Sequence, residues 1–167
     1  MVPPVASAVV EFVSLDPAVV GLWRLTSLIA SGFILLPSLA FVLFVGFAAR
    51  PLMGWLLAAW FGLAAVRLCM LVWYPKKAFA AWGYRIDEKV LEARSGVWFK
   101  VTQLLPLSRL QHVDLHRGPL ERYFGLASLV LHTAGTQQAA IVIPGLKAEA
   151  AERLRDQLVA AGGDDAV

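Results

Sequence analysis

The sequence predicts an α+β membrane protein, in which a transmembrane α-helical hairpin precedes an antiparallel β-sheet or open barrel capped by a C-terminal α-helix. Of the 167 residues 59% are hydrophobic and only 16% charged, whereas soluble domains carry about 25% charged residues. Charges are sparse up to residue 75 and frequent beyond it. Hydrophobic residues form long runs before this point and short alternating runs after it, so we expect a domain boundary near Tyr74 and Pro75.

The first predicted span covers residues 25–49, a stretch without any charged residue. About 20 apolar residues are enough for a helix to cross the hydrocarbon core of a bilayer. Asp16 and Pro17 have the residue types of a helix N-cap and a first helical position. Residues 1–24 are therefore predicted to form an N-terminal segment and an interfacial helix that leads into the span.

The second predicted span covers residues 52–74 and completes a transmembrane hairpin over residues 25–74. Arg67 interrupts it seven residues before its end, a distance of about 10 Å along a helix, from which an arginine side chain can reach the headgroups. Gly54, Ala58 and Gly62 form a stripe of small residues that either packs against another helix or reflects the abundance of such residues in spans. A buried hairpin of a large soluble complex is the alternative to membrane insertion.

Lysine and arginine residues predict the orientation of the hairpin. With two spans, both chain ends lie on one side of the membrane. Arg50 alone marks the loop between the spans, whereas five basic residues flank the other ends. By the positive-inside rule we expect both termini in the cytoplasm. The five residues are Arg24, Lys76, Lys77, Arg85 and Lys89.

Residues 75–163 are predicted to form the second domain, followed by an acidic tail at 164–167. Alternating apolar runs predict strands at 82–86, 90–94, 98–105, 109–117, 126–133 and 138–143, with a helical turn at 120–124. Pro144 and Gly145 are expected to end the last strand. Leu146, Ala150, Leu154 and Leu158 recur every four residues and predict an amphipathic helix that caps the barrel.

The stretch QHVDLHRG raises the question of a metal site, since His112, Asp114 and His116 alternate along a predicted strand. Imidazole and carboxylate are ligands that zinc and iron accept. However, a stable site needs further convergent ligands, and only His132 remains as a histidine, on another strand and in unknown register. We therefore expect no metal here, but a polar strand face on which these three side chains point away from the core.

One long stretch resembles a known family. The run PLSRLQHVDLHRGPLERYFGLASLVLHTAG, preceded by the hairpin and by LDPAVVGLWRL, resembles the bacterial pleckstrin-homology-like (PH-like) membrane proteins of the YdbS type. The likeness covers about residues 15–160 and is most specific at residues 117–127. It implies a PH-like fold for residues 75–163 and a bacterial inner-membrane location, and it implies no established chemistry.

The residues show no catalytic motif. Ser108 has no nucleophile elbow or paired base around it, and Asp87 and Glu88 belong to a predicted turn. We therefore expect no enzyme, no cofactor and no nucleic-acid partner. Beyond Tyr74 the chain has 12 Lys and Arg against 10 Asp and Glu, so net charge does not distinguish between the noncatalytic functions.

Two such functions remain open. A membrane-anchored scaffold would bind another PH-like membrane protein, or a second copy of this chain, through the segment Arg117, Gly118, Pro119, Glu121, Arg122, Tyr123 and Gly125. A sensor of anionic lipid headgroups would instead use the basic residues Lys76, Lys77, Arg109, Arg117 and Arg122. The acidic turn at residues 87–88 favours the scaffold, because PH domains that bind phosphoinositides usually carry basic residues around their first hairpin.

Overall fold

A computed structural model describes residues 12–87, 89–133 and 140–163; the predicted acidic tail at 164–167 lies outside them. The described residues form two compact units. Residues 20–77 make up a helical unit, and residues 12–19 together with 78–163 make up the other. The boundary between the units therefore falls three residues later than the sequence predicts, and the segment before the first span belongs to the second unit.

The helical unit contains both predicted spans. Helix α1 runs over Ala18–Ala48 and helix α2 over Met53–Ala81, joined by the 3₁₀ turn Arg50–Leu52. Both are long and apolar enough to cross a membrane, and little of either is buried within the protein. Such exposure fits a lipid environment.

Helix α2 does not end at Tyr74, as the sequence predicted, but continues through Pro75 to Ala81. Proline removes one i to i−4 hydrogen bond but leaves the following turns free to form. The stripe of small residues does not pack within the hairpin, since a Cβ added at Gly54 or Gly62 would meet no atom within 4 Å.

Hydrogen bonds between side chains help to fix the pairing of α1 with α2. The indole nitrogen of Trp60 donates a hydrogen bond to Ser38 Oγ at 3.0 Å, and Arg67 Nε donates to Ser31 Oγ at 3.3 Å. In hydrocarbon each unpaired polar group is costly, so sliding one helix along the other would break both bonds without replacement. These bonds therefore define the register of the hairpin.

The second unit consists of two antiparallel three-stranded sheets and a closing helix, which confirms the predicted α+β fold. The first sheet has the order β1 (Gly83–Ile86), β2 (Val90–Ser95) and β3 (Val101–Pro106). After the 3₁₀ turn Leu107–Arg109, the second sheet has the order β4 (Leu110–His116), β5 (Leu126–Thr133) and β6 (Ala140–Lys147). Helix α3 (Pro119–Tyr123) connects β4 to β5, and helix α4 spans Ala148–Gly163.

The core lies between the second sheet and helix α4, which packs against β4, β5 and β6. Two members of the predicted apolar stripe of the last helix are buried, because Leu154 and Leu158 are 6% and 1% exposed. Leu146, by contrast, belongs to strand β6 rather than to the helix, and Ala150 is only half-buried. Fully buried side chains from the sheet face Leu154 and Leu158, namely Leu126, Leu129, Leu131 and Ile143.

Strand β6 does not end at Pro144 and Gly145, as predicted, but continues to Lys147. Leu129 pairs with Ile143, whereas Ala127 pairs with Leu146, so β6 carries one extra residue at this point. Proline is tolerated at a bulge and on an edge strand. Gly145 has φ +64°, a conformation that glycine adopts without strain.

The segment before α1 is part of the β unit. Asp16 caps α1 as predicted, its Oδ1 accepting from Ala18 N–H at 2.8 Å. Val13 and Tyr84 exchange two backbone hydrogen bonds of 2.8 and 3.0 Å, so the segment pairs with the free edge of β1. The Phe12 ring lies under the guanidinium groups of Arg85 and Arg94, and both arginines form ion pairs with the buried Glu92.

Candidate functional site

The predicted partner-binding segment, residues 117–125, is built around the carboxylate of Glu121. Gly118 N–H donates to Glu121 Oε2 at 2.7 Å, and the Ser128 hydroxyl of β5 donates to Oε1 at 2.5 Å. Pro119 occupies the first turn of α3, where its missing N–H has no helical acceptor. Glu121 thus ties α3 to the sheet from a part-buried position, and both of its oxygens already have partners within the chain.

The far end of the segment is fixed through the backbone. Gly125 adopts φ +68°, its N–H donates to Arg122 O at 3.2 Å, and its carbonyl accepts from Ala148 N–H at 3.1 Å. Because Ala148 is the first residue of α4, this turn joins α3 to the closing helix. The segment is therefore held at both ends by hydrogen bonds.

This base displays one tyrosine and two arginine side chains to solvent. Tyr123 is 80% exposed, and Arg117 and Arg122 are also exposed. The Tyr123 ring meets Phe124 edge to face, with 5.2 Å between ring centroids, while Phe124 itself is partly buried. The segment thus places Phe124 partly inside the domain and presents one aromatic ring and two guanidinium groups to solvent.

The basic residues of the lipid alternative fall in both units. Arg109, Arg117 and Arg122 belong to the β unit, are exposed, and have no ion pair with any residue that the structure describes. Lys76 and Lys77 are exposed near the end of α2, with Lys77 Nζ 5.3 Å from the centroid of the Trp73 ring. All five side chains are thus accessible, which either function requires.

The structure resolves the register of His132, which the sequence left open. His132 lies directly opposite His112 across β4 and β5, and Asp114 bridges both imidazoles. His112 Nε2 is 2.7 Å from Asp114 Oδ1, and His132 Nε2 is 3.2 Å from Oδ2. His116 lies further along β4, opposite Ser128. The polar face predicted for His112, Asp114 and His116 therefore also includes His132 on the neighbouring strand.

Among residues 12–87, 89–133 and 140–163, no group of three or more His, Cys, Asp or Glu side chains has the geometry to hold a metal ion. The imidazole Nε2 atoms face the carboxylate oxygens as hydrogen-bond donors, whereas metal ligands direct their lone pairs at one shared point. That the protein binds no metal stays a prediction. Metal analysis of untagged protein checks it, and one zinc or iron ion per chain that is lost in His112→Ala would contradict it.

Sequence reasoning missed an exposed aromatic pair between β2 and β3. Trp98 and Phe99 are 72% and 86% exposed and lie in the connection rather than in the strand predicted at 98–105. Gly96 has φ +101°, and a Cβ there would overlap the Phe99 carbonyl oxygen, so the turn needs glycine. Two adjacent aromatic residues break the alternation expected of a half-buried strand. This pattern in the sequence already argues against a strand that begins at Trp98.

Comparisons with known proteins agree with this architecture. The family model described as bacterial PH domain matches residues 31–161. The UPF0699 transmembrane protein YdbS of Bacillus subtilis strain 168 is 31% identical over 146 residues, which cover 86% of this chain and 88% of that protein. No solved structure matches the chain. The chain therefore belongs to the bacterial PH domain family, as a PH-like membrane protein of the YdbS type.

Proposed function

We propose that this protein is a noncatalytic, membrane-anchored scaffold whose segment 117–125 binds another PH-like membrane protein or a second copy of the chain. The observation that carries the proposal is the exposure of Tyr123, Arg117 and Arg122 on one short segment whose base is held by hydrogen bonds. Tyrosine and arginine are enriched among the residues that dominate binding energy at protein interfaces. A preorganised base lowers the entropy lost on binding.

Lipid headgroup binding by the same arginines is the second candidate, supported by their exposure and lack of ion pairs in the described part of the chain. The first hairpin favours the protein partner. Asp87 is exposed there beside Lys89, and the carboxylate would oppose an anionic membrane surface. The large exposed area of Tyr123 also fits an aromatic anchor better than a purely electrostatic contact.

The partner is proposed to meet this domain in the cytoplasm. Val13 and Tyr84 flank the two spans and pair with each other, which supports a topology with both flanks on the same side of the membrane. Basic residues are concentrated on these flanks, and the positive-inside rule assigns such flanks to the cytoplasm. Reporter fusions after residue 85 and after Arg50 test this orientation. Activity of a periplasmic reporter at the first position would contradict it.

The double variant Arg117→Glu, Arg122→Glu separates the two functions. Lys100→Glu, Arg153→Glu is the matched control, because these exposed residues give the same charge change away from α3. Membrane insertion and folding are checked first for both variants. Two measurements then compare the variants. The first identifies the proteins that co-purify from gently solubilised membranes. The second tests whether the full chain, held in phosphatidylcholine nanodiscs, floats with phosphatidylglycerol vesicles.

The scaffold proposal expects the α3 variant to lose a co-purifying PH-like protein or its own second copy, whereas the control keeps it. Tyr123→Ala should cause the same loss without any change of charge. If both variants keep the same partners while only the α3 variant fails to float with the vesicles, the lipid sensor replaces the scaffold.

A further inference from the structure

Arg67 is the one charged residue between residues 52 and 74. Its Nε donates to Ser31 Oγ at 3.3 Å, and the Ser31 hydroxyl donates in turn to the Ser27 carbonyl at 2.7 Å. Ser31 is 3% exposed, so this hydroxyl is buried and used as both donor and acceptor. The two bonds fix the guanidinium beside α1.

Within the part of the chain that the structure describes, this guanidinium forms no ion pair. The chain has no acidic residue between Asp16 and Asp87, so neither span can supply a carboxylate. Arginine carries five N–H donors, and in the described residues the Arg67 side chain donates only to Ser31. Charged residues inside membranes are paired or face a polar cavity, because isolated charge in hydrocarbon is costly. The remaining donors therefore need an acceptor, best an anion, from outside the chain.

A cavity lies at this position in the helical unit. It has a volume of about 300 Å³. Its polar wall is formed by Ser27, Ser31 and Arg67, and its apolar wall includes Met70, Leu71 and Tyr74. A ligand that fits both walls has an anionic group next to hydrocarbon.

Depth decides between a membrane lipid and a soluble anion. Arg67 is seven residues before Tyr74, about 10 Å along the helix, so the cavity extends from the end of the span into the hydrocarbon region. A soluble anion would have to leave water to enter it. A phospholipid already places its phosphate at the interface, which the long Arg67 side chain can reach, while its acyl chains run from there toward the bilayer centre. Planar guanidinium groups suit phosphate, which they bind through two parallel hydrogen bonds.

We propose that the hairpin binds one membrane phospholipid, with the lipid phosphate on the Arg67 guanidinium and the Ser27 hydroxyl. The site lies within residues 20–77 and does not depend on the partner surface at α3. Its failure would leave the proposed scaffold untouched, because a lipid bound here changes no contact of Tyr123.

The test measures lipid binding by the full chain in mild detergent with native mass spectrometry. The probes are phosphatidylglycerol and a galactosyl diacylglycerol with the same acyl chains but no phosphate. We expect the wild type to prefer phosphatidylglycerol, and Arg67→Gln to weaken its binding by about tenfold or more, as expected for the loss of a charged hydrogen bond. Arg67→Lys should bind with intermediate strength. Arg50→Gln, which removes one charge from the loop between the helices, should bind as the wild type does.

A second variant distinguishes loss of the lipid site from disruption of the helix pair. Ser27→Leu fills the cavity and leaves Arg67 in place, and it should also lose the lipid while helical content, measured by circular dichroism, stays unchanged. Equal binding of phosphatidylglycerol by Arg67→Gln and the wild type would overturn the site, as would an equal loss in Arg50→Gln. Displacement of the lipid by millimolar inorganic phosphate would overturn the assignment to a phospholipid.

Discussion

Truncation of Leu158 in the closing helix tests how much α4 stabilises the β unit. Leu158 is 1% exposed, and the change to Ala removes three buried carbon atoms worth about 0.8 kcal/mol each. Because the cavity left behind adds to this loss, we expect a cost of about 3 kcal/mol, within the range of about 2–5 kcal/mol for buried Leu to Ala changes. Val159→Ala is the control, since the adjacent Val159 is 56% exposed.

Hydrogen exchange of the full chain in detergent measures this cost at the strand that α4 covers. Amides of β5, Leu126–Thr133, should lose about two orders of magnitude of protection in Leu158→Ala, the equivalent of about 3 kcal/mol. Val159→Ala should change protection by less than about 0.5 kcal/mol, as is usual for exposed sites. Equal protection of β5 in both variants would show that α4 does not stabilise the sheet, and the assigned core would be wrong.

Three further predictions concern the rest of the β unit. Glu121→Ala leaves two donors without an acceptor and should cost about 1–3 kcal/mol of unfolding free energy in denaturant titrations, whereas exposed Glu152→Ala should be neutral. Gly125→Ala should cost about 1–2 kcal/mol from backbone strain alone, and Gly145→Ala more, because its Cβ also overlaps a buried valine; equal costs would contradict this overlap. Burial raises the pKa of Tyr84 above its ordinary value of 10.0. The contribution of the neutral phenol to the free energy of unfolding is therefore fully present below pH 10 and is lost as pH rises through the raised pKa. Tyr84→Phe should reduce this loss of stability at alkaline pH, measured by thermal unfolding.

Much of the fold follows from local patterns that the sequence displays directly. The two spans depend on long apolar runs, the start of α1 on the Asp16 side chain, and the burial of Leu154 and Leu158 on helical spacing. Each of these features is decided within one or two turns of chain. Local physical chemistry is therefore sufficient to predict them.

The sequence-based predictions fail where contacts between residues distant in sequence decide the structure. Pro75 and Pro144 were expected to end their elements, yet proline removes only one donor, and the rest of the element persists where packing or a bulge accommodates the ring. Pairing of Val13 with β1 links residues about 70 positions apart, which no periodicity can reveal. In the candidate site, Glu121 accepts a hydrogen bond from Ser128 of a later strand, a contact that the spacing within the segment does not reveal.

The pairing of Val13 with Tyr84 also constrains the order in which this protein is synthesised, inserted and folded. Synthesis produces the N-terminal segment first, but its strand partner emerges only after both spans, so the β unit cannot be completed until the hairpin has been synthesised. An antiparallel hairpin brings its two ends together and so reduces the entropy needed to close this long loop. Membrane insertion should therefore precede and assist the last step of domain folding. Replacement of Val13 by proline, which removes the N–H that pairs with Tyr84, would therefore slow or weaken that step.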